Sequence, residues 1–133
     1  ANMYAACEAL PKDLREAVEK RRALFCSTRN KELKALHPIL RTHPETGRKS
    51  IFVNPQLTHR IDDMADDESD ALLAEIYDHC RKPNFIYWHR WQPGDLTFWD
   101  NRCVLHIADH KRLDDPNYIR HMHRTTIAGD TPF

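Results

Sequence analysis

Glycine is nearly missing from this chain, with three in 133 residues. So few leave no room for the glycine-rich loops that cradle phosphate groups. No charge of one sign dominates either. Twenty basic and twenty acidic side chains cancel, so no field recruits nucleic acid or an anionic membrane. No apolar run approaches the roughly 18 residues of a membrane span. The opening Ala1-Asn2-Met3-Tyr4 lacks the charged-then-apolar layout of a secretory signal. Cys7, Cys26, Cys80 and Cys103 are scattered without a C-x-x-C pair, the pattern expected of reduced thiols in a cytoplasmic protein. There is no internal repeat, low-complexity stretch or linker, so the chain is one domain or part of one, long enough to bury a real core. What is plentiful is histidine, nine in all, with three tryptophans.

Periodicity predicts two principal helices. Pro11 suits a first helical turn, and Leu14, Ala17, Val18, Arg21, Leu24 and Phe25 recur on one side, predicting a helix over Leu10 to Phe25. Met3 to Leu10 is expected to form a shorter helix or turn before it. A second long helix begins at the acidic cluster Asp66-Asp67-Glu68, passes through Leu72, Leu73, Ile76 and Tyr77, and stops before Lys82-Pro83. Ser50 to Val53 reads as a short strand. Beyond the second helix the chain reads mostly as strand: the aromatic run Phe85 to Trp91, a type II turn at Pro93-Gly94, the alternating Asp95 to Trp99, and Tyr118 to Ile127. The order suits an α+β fold, mainly β, built on antiparallel sheet.

The last predicted strand carries a chemical signal. Alternation puts Arg120, Met122, Arg124 and Thr126 on one face, with Arg120 and Arg124 about 13 Å apart at about 3.3 Å per residue. Such a face either meets solvent or looks into a polar cavity that holds anions. His106, just after the turn Trp99-Asp100-Asn101-Arg102, is placed to lie on a neighbouring strand and favours the cavity. Other histidine patterns are weaker. His106 and His110 have i, i+4 spacing without helical periodicity around them. His121 and His123 share a strand face but have no cysteines at zinc-finger spacing. Cys103-x-x-His106 alone specifies nothing. His43-Pro44-Glu45 matches H-x-E, yet Thr42, Pro44, Thr46 and Gly47 mark a surface turn. The aromatic run Phe85, Tyr87, Trp88, Trp91 reads as core packing rather than a substrate cage.

Several words occur in a fixed order: Asn2-Met3-Tyr4-Ala5-Ala6, then His37-Pro38-Ile39-Leu40-Arg41-Thr42-His43-Pro44-Glu45-Thr46-Gly47, Phe52-Val53-Asn54, and Trp91-Gln92-Pro93-Gly94-Asp95. They continue with Trp99-Asp100-Asn101-Arg102, His106, and Met122-His123-Arg124-Thr125-Thr126-Ile127-Ala128-Gly129-Asp130. The ordered set resembles the C-terminal half of the taurine dioxygenase/2,4-dichlorophenoxyacetate dioxygenase (TauD/TfdA) family over essentially the whole chain. The resemblance implies a double-stranded β-helix (jelly-roll) with flanking helices, incomplete in this chain. Residues 1–133 would form the C-terminal part of one such domain. It also implies Fe(II) held by two histidines and a carboxylate, with 2-oxoglutarate as cosubstrate and dioxygen as oxidant. By motif position His106 resembles the family's distal metal ligand, and no further catalytic residue is assigned. Arg120 resembles the residue that pairs with the far carboxylate of 2-oxoglutarate, Trp99 a wall beside that cosubstrate, and Arg124 a contact to cosubstrate or to an anionic substrate.

The resemblance also sets an expectation of incompleteness. The family's H-x-[DE] ligand pair belongs upstream of the Asn2-Met3-Tyr4 word, so one histidine remains and these residues alone are expected to be inactive. A cleaved or partly recorded enzyme accounts best for this; the alternatives are a domain completed by a second chain or a homo-oligomer, and a truncated product. In the complete enzyme a small anionic substrate, a sulfonate, carboxylate or aryloxy acid, would be oxidised with release of succinate and CO2. The competing class is a non-catalytic anion-binding or interaction module that keeps half a jelly-roll. A zinc-stabilised structural domain has the wrong ligand spacing.

Overall fold

A computed structural model of the protein describes residues 1–30, 32–108, 115, 119, 121–129 and 131–133. Helix α1 (Met3–Glu8) is started by Asn2, whose side-chain oxygen accepts the N–H groups of Tyr4 and Ala5 at 3.1 Å each. Pro11 breaks the chain, and α2 (Lys12–Val18) follows with Leu14 and Val18 buried. Then come β1 (Arg22–Cys26), β2 (Lys34–Pro38), β3 (Leu40–Thr42), β4 (Lys49–Ile51) and β5 (Thr58–Ile61). Helix α3 (Asp66–Cys80) places Asp66, Asp67 and Glu68 in its first turn, against the positive end of its dipole. A single 3-10 turn over Pro83–Phe85 follows it.

Strand β1 is the centre of a three-stranded antiparallel sheet in the order β2-β1-β5, with Leu24 opposite Leu36 and Ala23 opposite Ile61. Strands β3 and β4 form a separate hairpin with Leu40 opposite Ile51. Helix α1 packs on β4 and α3 on β5, closing a core of Met3, Ala6, Val18, Ile39, Ile51, Ile61 and Ile76. Two buried polar contacts tie the layers together. Ser69 Oγ of α3 accepts the Ile61 N–H at 2.8 Å, and His79 Nε2 of α3 donates to the Ala6 carbonyl of α1 at 2.8 Å.

The α1 and α3 expectations agree with the structure, and the Ser50 to Val53 strand overlaps β4. The helix expected over Leu10 to Phe25 does not: it ends at Val18, and Arg22–Cys26 is the central strand. Ladder bonds to β2 on one side and β5 on the other outweigh the helical spacing of Leu24 and Phe25, a tertiary override of local pattern. Strands β2, β3 and β5 lie in segments whose spacing gave no strand signal. After Phe85 the expected strands are not formed among the described residues. The isolated bridge Asn2–Val104 is the β-pairing described there. A strand needs a neighbour to take its N–H and C=O groups, and Leu96, Phe98, Ile119 and Ile127 stay exposed with no described element over them. The α+β mixture therefore stands, but helix outweighs strand among the described residues, contrary to the mainly-β expectation. The aromatic run divides: Phe85 packs against the core as expected, whereas Tyr87, Trp88 and Trp91 are exposed. Among the described residues no helix is long and apolar enough to cross a membrane.

Candidate functional site

Of the residues singled out by motif, Trp99 and His106 lie on one loop, and Arg124 is near enough to act on His106. The loop's alternation is visible even without a strand. Leu96 and Phe98 are exposed, while Thr97 and Trp99 are half-buried. The Asp100 carbonyl accepts the N–H groups of Cys103 and Val104, at 3.2 and 3.0 Å, and turns the chain. The loop is then stitched to the start of α1: Met3 N–H donates to the Cys103 carbonyl at 3.0 Å, and Leu105 N–H to the Ala1 carbonyl at 3.2 Å. His106 follows directly on this anchored segment.

The Trp99 indole lies 4.8 Å from the His106 imidazole, ring centre to ring centre, at 56°, and its Nε1 donates to Asn101 Oδ1 at 3.1 Å. His106 as a residue is exposed, but part of its ring is withdrawn from water. That desolvation, and then the positive charges of Arg124 and the N-terminal ammonium, lower its pKa below the usual 6.5. The imidazole is accordingly neutral near pH 7, with a lone pair free for a cation. Arg124 is exposed, and its field reaches His106. Arg120 and His110 lie outside the described residues. The face alternation expected of Tyr118 to Ile127 therefore cannot be followed through Arg120, and the described part of that segment carries no ladder. His121 and His123 have ring centres 4.9 Å apart on an exposed stretch.

A second cluster, built from residues the motifs did not assign, lies beside this loop. Asp100 takes Arg102 in a two-pronged grip, with Nε 3.0 Å from both carboxylate oxygens and Nη2 2.7 Å from Oδ2. Arg102 holds the Asp100 carboxyl far below the usual carboxylate range, with a smaller contribution from His43. Arg102 Nη1 also pairs with Glu45 Oε1 at 3.0 Å. His43 is buried, and its Nε2 lies 3.1 Å from Asp100 Oδ2. His43, Asp100 and Cys103 offer ligand atoms within 4.8 Å of one another, yet the set suits structure better than a metal. Both oxygens of Asp100 are engaged by Arg102, both ring nitrogens of His43 are engaged, and burial keeps the Cys103 thiol protonated by raising its pKa. A cation there would have to displace the His43 Nε2 contact and the Arg102 grip on Asp100 and to strip the Cys103 proton. His43 thus serves the hairpin turn and the Asp100 loop, and the H-x-E spelling at 43–45 carries no ligand pair. The signal that could have revealed this is the turn itself, in which a histidine can accept backbone N–H groups much as asparagine does.

Residues 1–126 match the family described as taurine catabolism dioxygenase TauD, TfdA family. The chain belongs to this family. Among TauD/TfdA relatives it is 36% identical over 144 residues to an α-ketoglutarate-dependent 2,4-dichlorophenoxyacetate dioxygenase from Cupriavidus pinatubonensis, covering 97% of this chain and 49% of that protein. It is 36% identical to the (S)-phenoxypropionate/α-ketoglutarate dioxygenase of Sphingobium herbicidovorans, covering 98% and 51%. A solved taurine dioxygenase structure from Burkholderia xenovorans superposes with a TM-score of 0.72 at 35% identity, over 77% of this chain and 37% of that one. The chain spans about half the length of the curated TauD/TfdA relatives it matches.

Proposed function

We propose that this chain is the C-terminal part of a TauD/TfdA-type Fe(II)- and 2-oxoglutarate-dependent oxygenase with a double-stranded β-helix. The complete protein would oxidise a small anionic substrate and release succinate and CO2. The observation that carries the reading is the meeting of Trp99 and His106 within the positive field of Arg124. A neutral imidazole with cationic groups nearby is what a metal site beside an anionic cosubstrate requires. The donor set described here fits one ligand position: His106 can hold the metal, and the remaining ligands come from elsewhere in the complete domain. Iron, when bound, supplies the activation of dioxygen and couples decarboxylation of 2-oxoglutarate to oxidation of the substrate.

The chain's own residues do the binding. Arg120 takes the far carboxylate of 2-oxoglutarate through its planar pair of N–H donors, and Arg124 takes the anionic group of the substrate or contacts the cosubstrate. Trp99 walls the pocket and holds water off the His106 ring. The names of the relatives span aryloxy acids and the sulfonate taurine, and both classes fit an arginine contact. One imidazole does not retain Fe(II) against water, so residues 1–133 alone are inactive. The exposure of Leu96, Phe98 and Ile119 supports this reading, since further strands of a β-helix, from the same polypeptide or a second chain, would give these side chains something to pack against.

Succinate release from the complete protein, supplied with Fe(II), 2-oxoglutarate and either an aryloxyacetate or taurine, tests the proposal. Succinate formed in step with loss of the aryloxyacetate supports it. Anion binding without any turnover would favour the non-catalytic module instead.

A further inference from the structure

The turn between β3 and β4 is linked to the loop bearing Trp99 and His106 by side chains that the proposed reaction does not use. His43 opens that turn, and its Nδ1 accepts the N–H groups of Glu45 and Thr46, each at 3.3 Å. A ring nitrogen that accepts two N–H groups carries no proton, so in the neutral ring the proton lies on Nε2. That N–H points at Asp100 Oδ2, 3.1 Å away. Asp100 grips Arg102, and Arg102 Nη1 returns to Glu45 Oε1 at 3.0 Å, closing a circuit from the turn to the loop and back. A third tie comes from buried Ser50 on β4, whose Oγ donates to the Arg102 carbonyl at 3.0 Å. Trp99 immediately precedes Asp100 and rests its ring on His106.

We propose that His43 is a positioning residue: its Nε2–H, aimed at Asp100, fixes the loop over residues 99–106 so that the Trp99 ring packs on His106 and holds that imidazole in one orientation. The functional meaning of the arrangement rests on reading His106 as a metal ligand, whereas the geometric claim does not. Imidazole suits the position because one edge accepts from the turn while the opposite edge donates to a carboxylate. Asparagine at 43 would keep the first contact through its side-chain oxygen and be too short for the second.

Proton NMR of the metal-free protein with and without His43→Asn tests this. The expected result is loss of the Trp99–His106 ring cross-peaks in the variant, with the β3–β4 cross-strand peaks (Leu40 to Ile51) retained. Ring cross-peaks that persist unchanged while the hairpin is intact would overturn the proposal. Where the variant also loses the hairpin, the wild-type His43 tautomer decides, read from long-range proton–nitrogen correlations. A protonated Nε2 with a bare Nδ1 supports the circuit, and a protonated Nδ1 overturns it. Neither readout depends on metal or 2-oxoglutarate, so failure of the oxygenase reading leaves both unaffected.

Discussion

His79 on α3 donates through Nε2 to the carbonyl of Ala6 on α1, 2.8 Å away in a buried setting. Its other nitrogen, Nδ1, accepts from Lys82 Nζ at 3.3 Å, and its ring leans on Phe85 at 5.3 Å. Helix α1 ends at Glu8, so the Ala6 carbonyl is one of the groups a helix C-terminus leaves without an intrahelical partner. A histidine borrowed from a helix some seventy residues away completes it. Replacing His79 by phenylalanine keeps a ring but leaves that carbonyl unpaired, at a cost of about 1–3 kcal/mol. Urea denaturation of His79→Phe against wild type measures it, and an unchanged midpoint would show that the contact contributes nothing.

His37 gives the fold a pH dependence. It sits between Phe25 and Phe52, with ring centres at 5.0 and 5.8 Å. Its Nδ1 is buried and has no hydrogen-bond partner among the described residues. Burial, then the charges of Arg22 and Arg41, lower its pKa below 6.5. The unfolded chain therefore binds the proton more readily than the native one. The stability is complete above 6.5 and is lost as pH falls through the lowered native value. Denaturation midpoints taken on either side of 6.5 should fall with acid, and His37→Leu should flatten that part of the curve.

The exposed apolar residues predict association. Leu96 and Phe98 are 96% and 85% exposed, and Ile119 and Ile127 are exposed as well. Surface of this kind in an isolated domain drives self-association. Sedimentation of residues 1–133 should show concentration-dependent oligomers, and the pair Leu96→Glu with Phe98→Lys should shift them toward monomer. Monomers throughout the concentration range would remove the reason for expecting a covering element.

The two arginines should separate by phenotype in the complete protein. Arg120→Ala should chiefly weaken 2-oxoglutarate, and Arg124→Ala chiefly the anionic substrate. Truncating one partner of a desolvated charge pair costs about 2–5 kcal/mol, at least about thirtyfold in affinity. Direct titration of 2-oxoglutarate under nitrogen distinguishes them, and equal cosubstrate affinity in wild type and Arg120→Ala would cancel the role given to Arg120.

How legible this was in the sequence depended on how local each cause is. Helix α3 was readable because its acidic first turn and its 3.6-residue stripe lie within one segment. Strand β1 was not, because its identity comes from β2 and β5 beside it, and Leu24 and Phe25 also satisfy helical spacing. The type II turn was legible from Pro93-Gly94: Gly94 has φ of +90°, and the Asp95 N–H closes on the Gln92 carbonyl at 3.1 Å. At the site, Trp99 and His106 were found by motif, and the structure adds their ring contact. The His43–Asp100–Arg102–Glu45 circuit was missed because it joins residues 57 apart in the chain, through a turn that looked like ordinary surface.

The most direct test of the account is optical absorption of the complete protein on anaerobic addition of Fe(II) and 2-oxoglutarate. A metal-to-ligand charge-transfer band is expected that requires both additions, is lost in His106→Ala, and is absent from residues 1–133 alone. A band of full intensity in His106→Ala would contradict it.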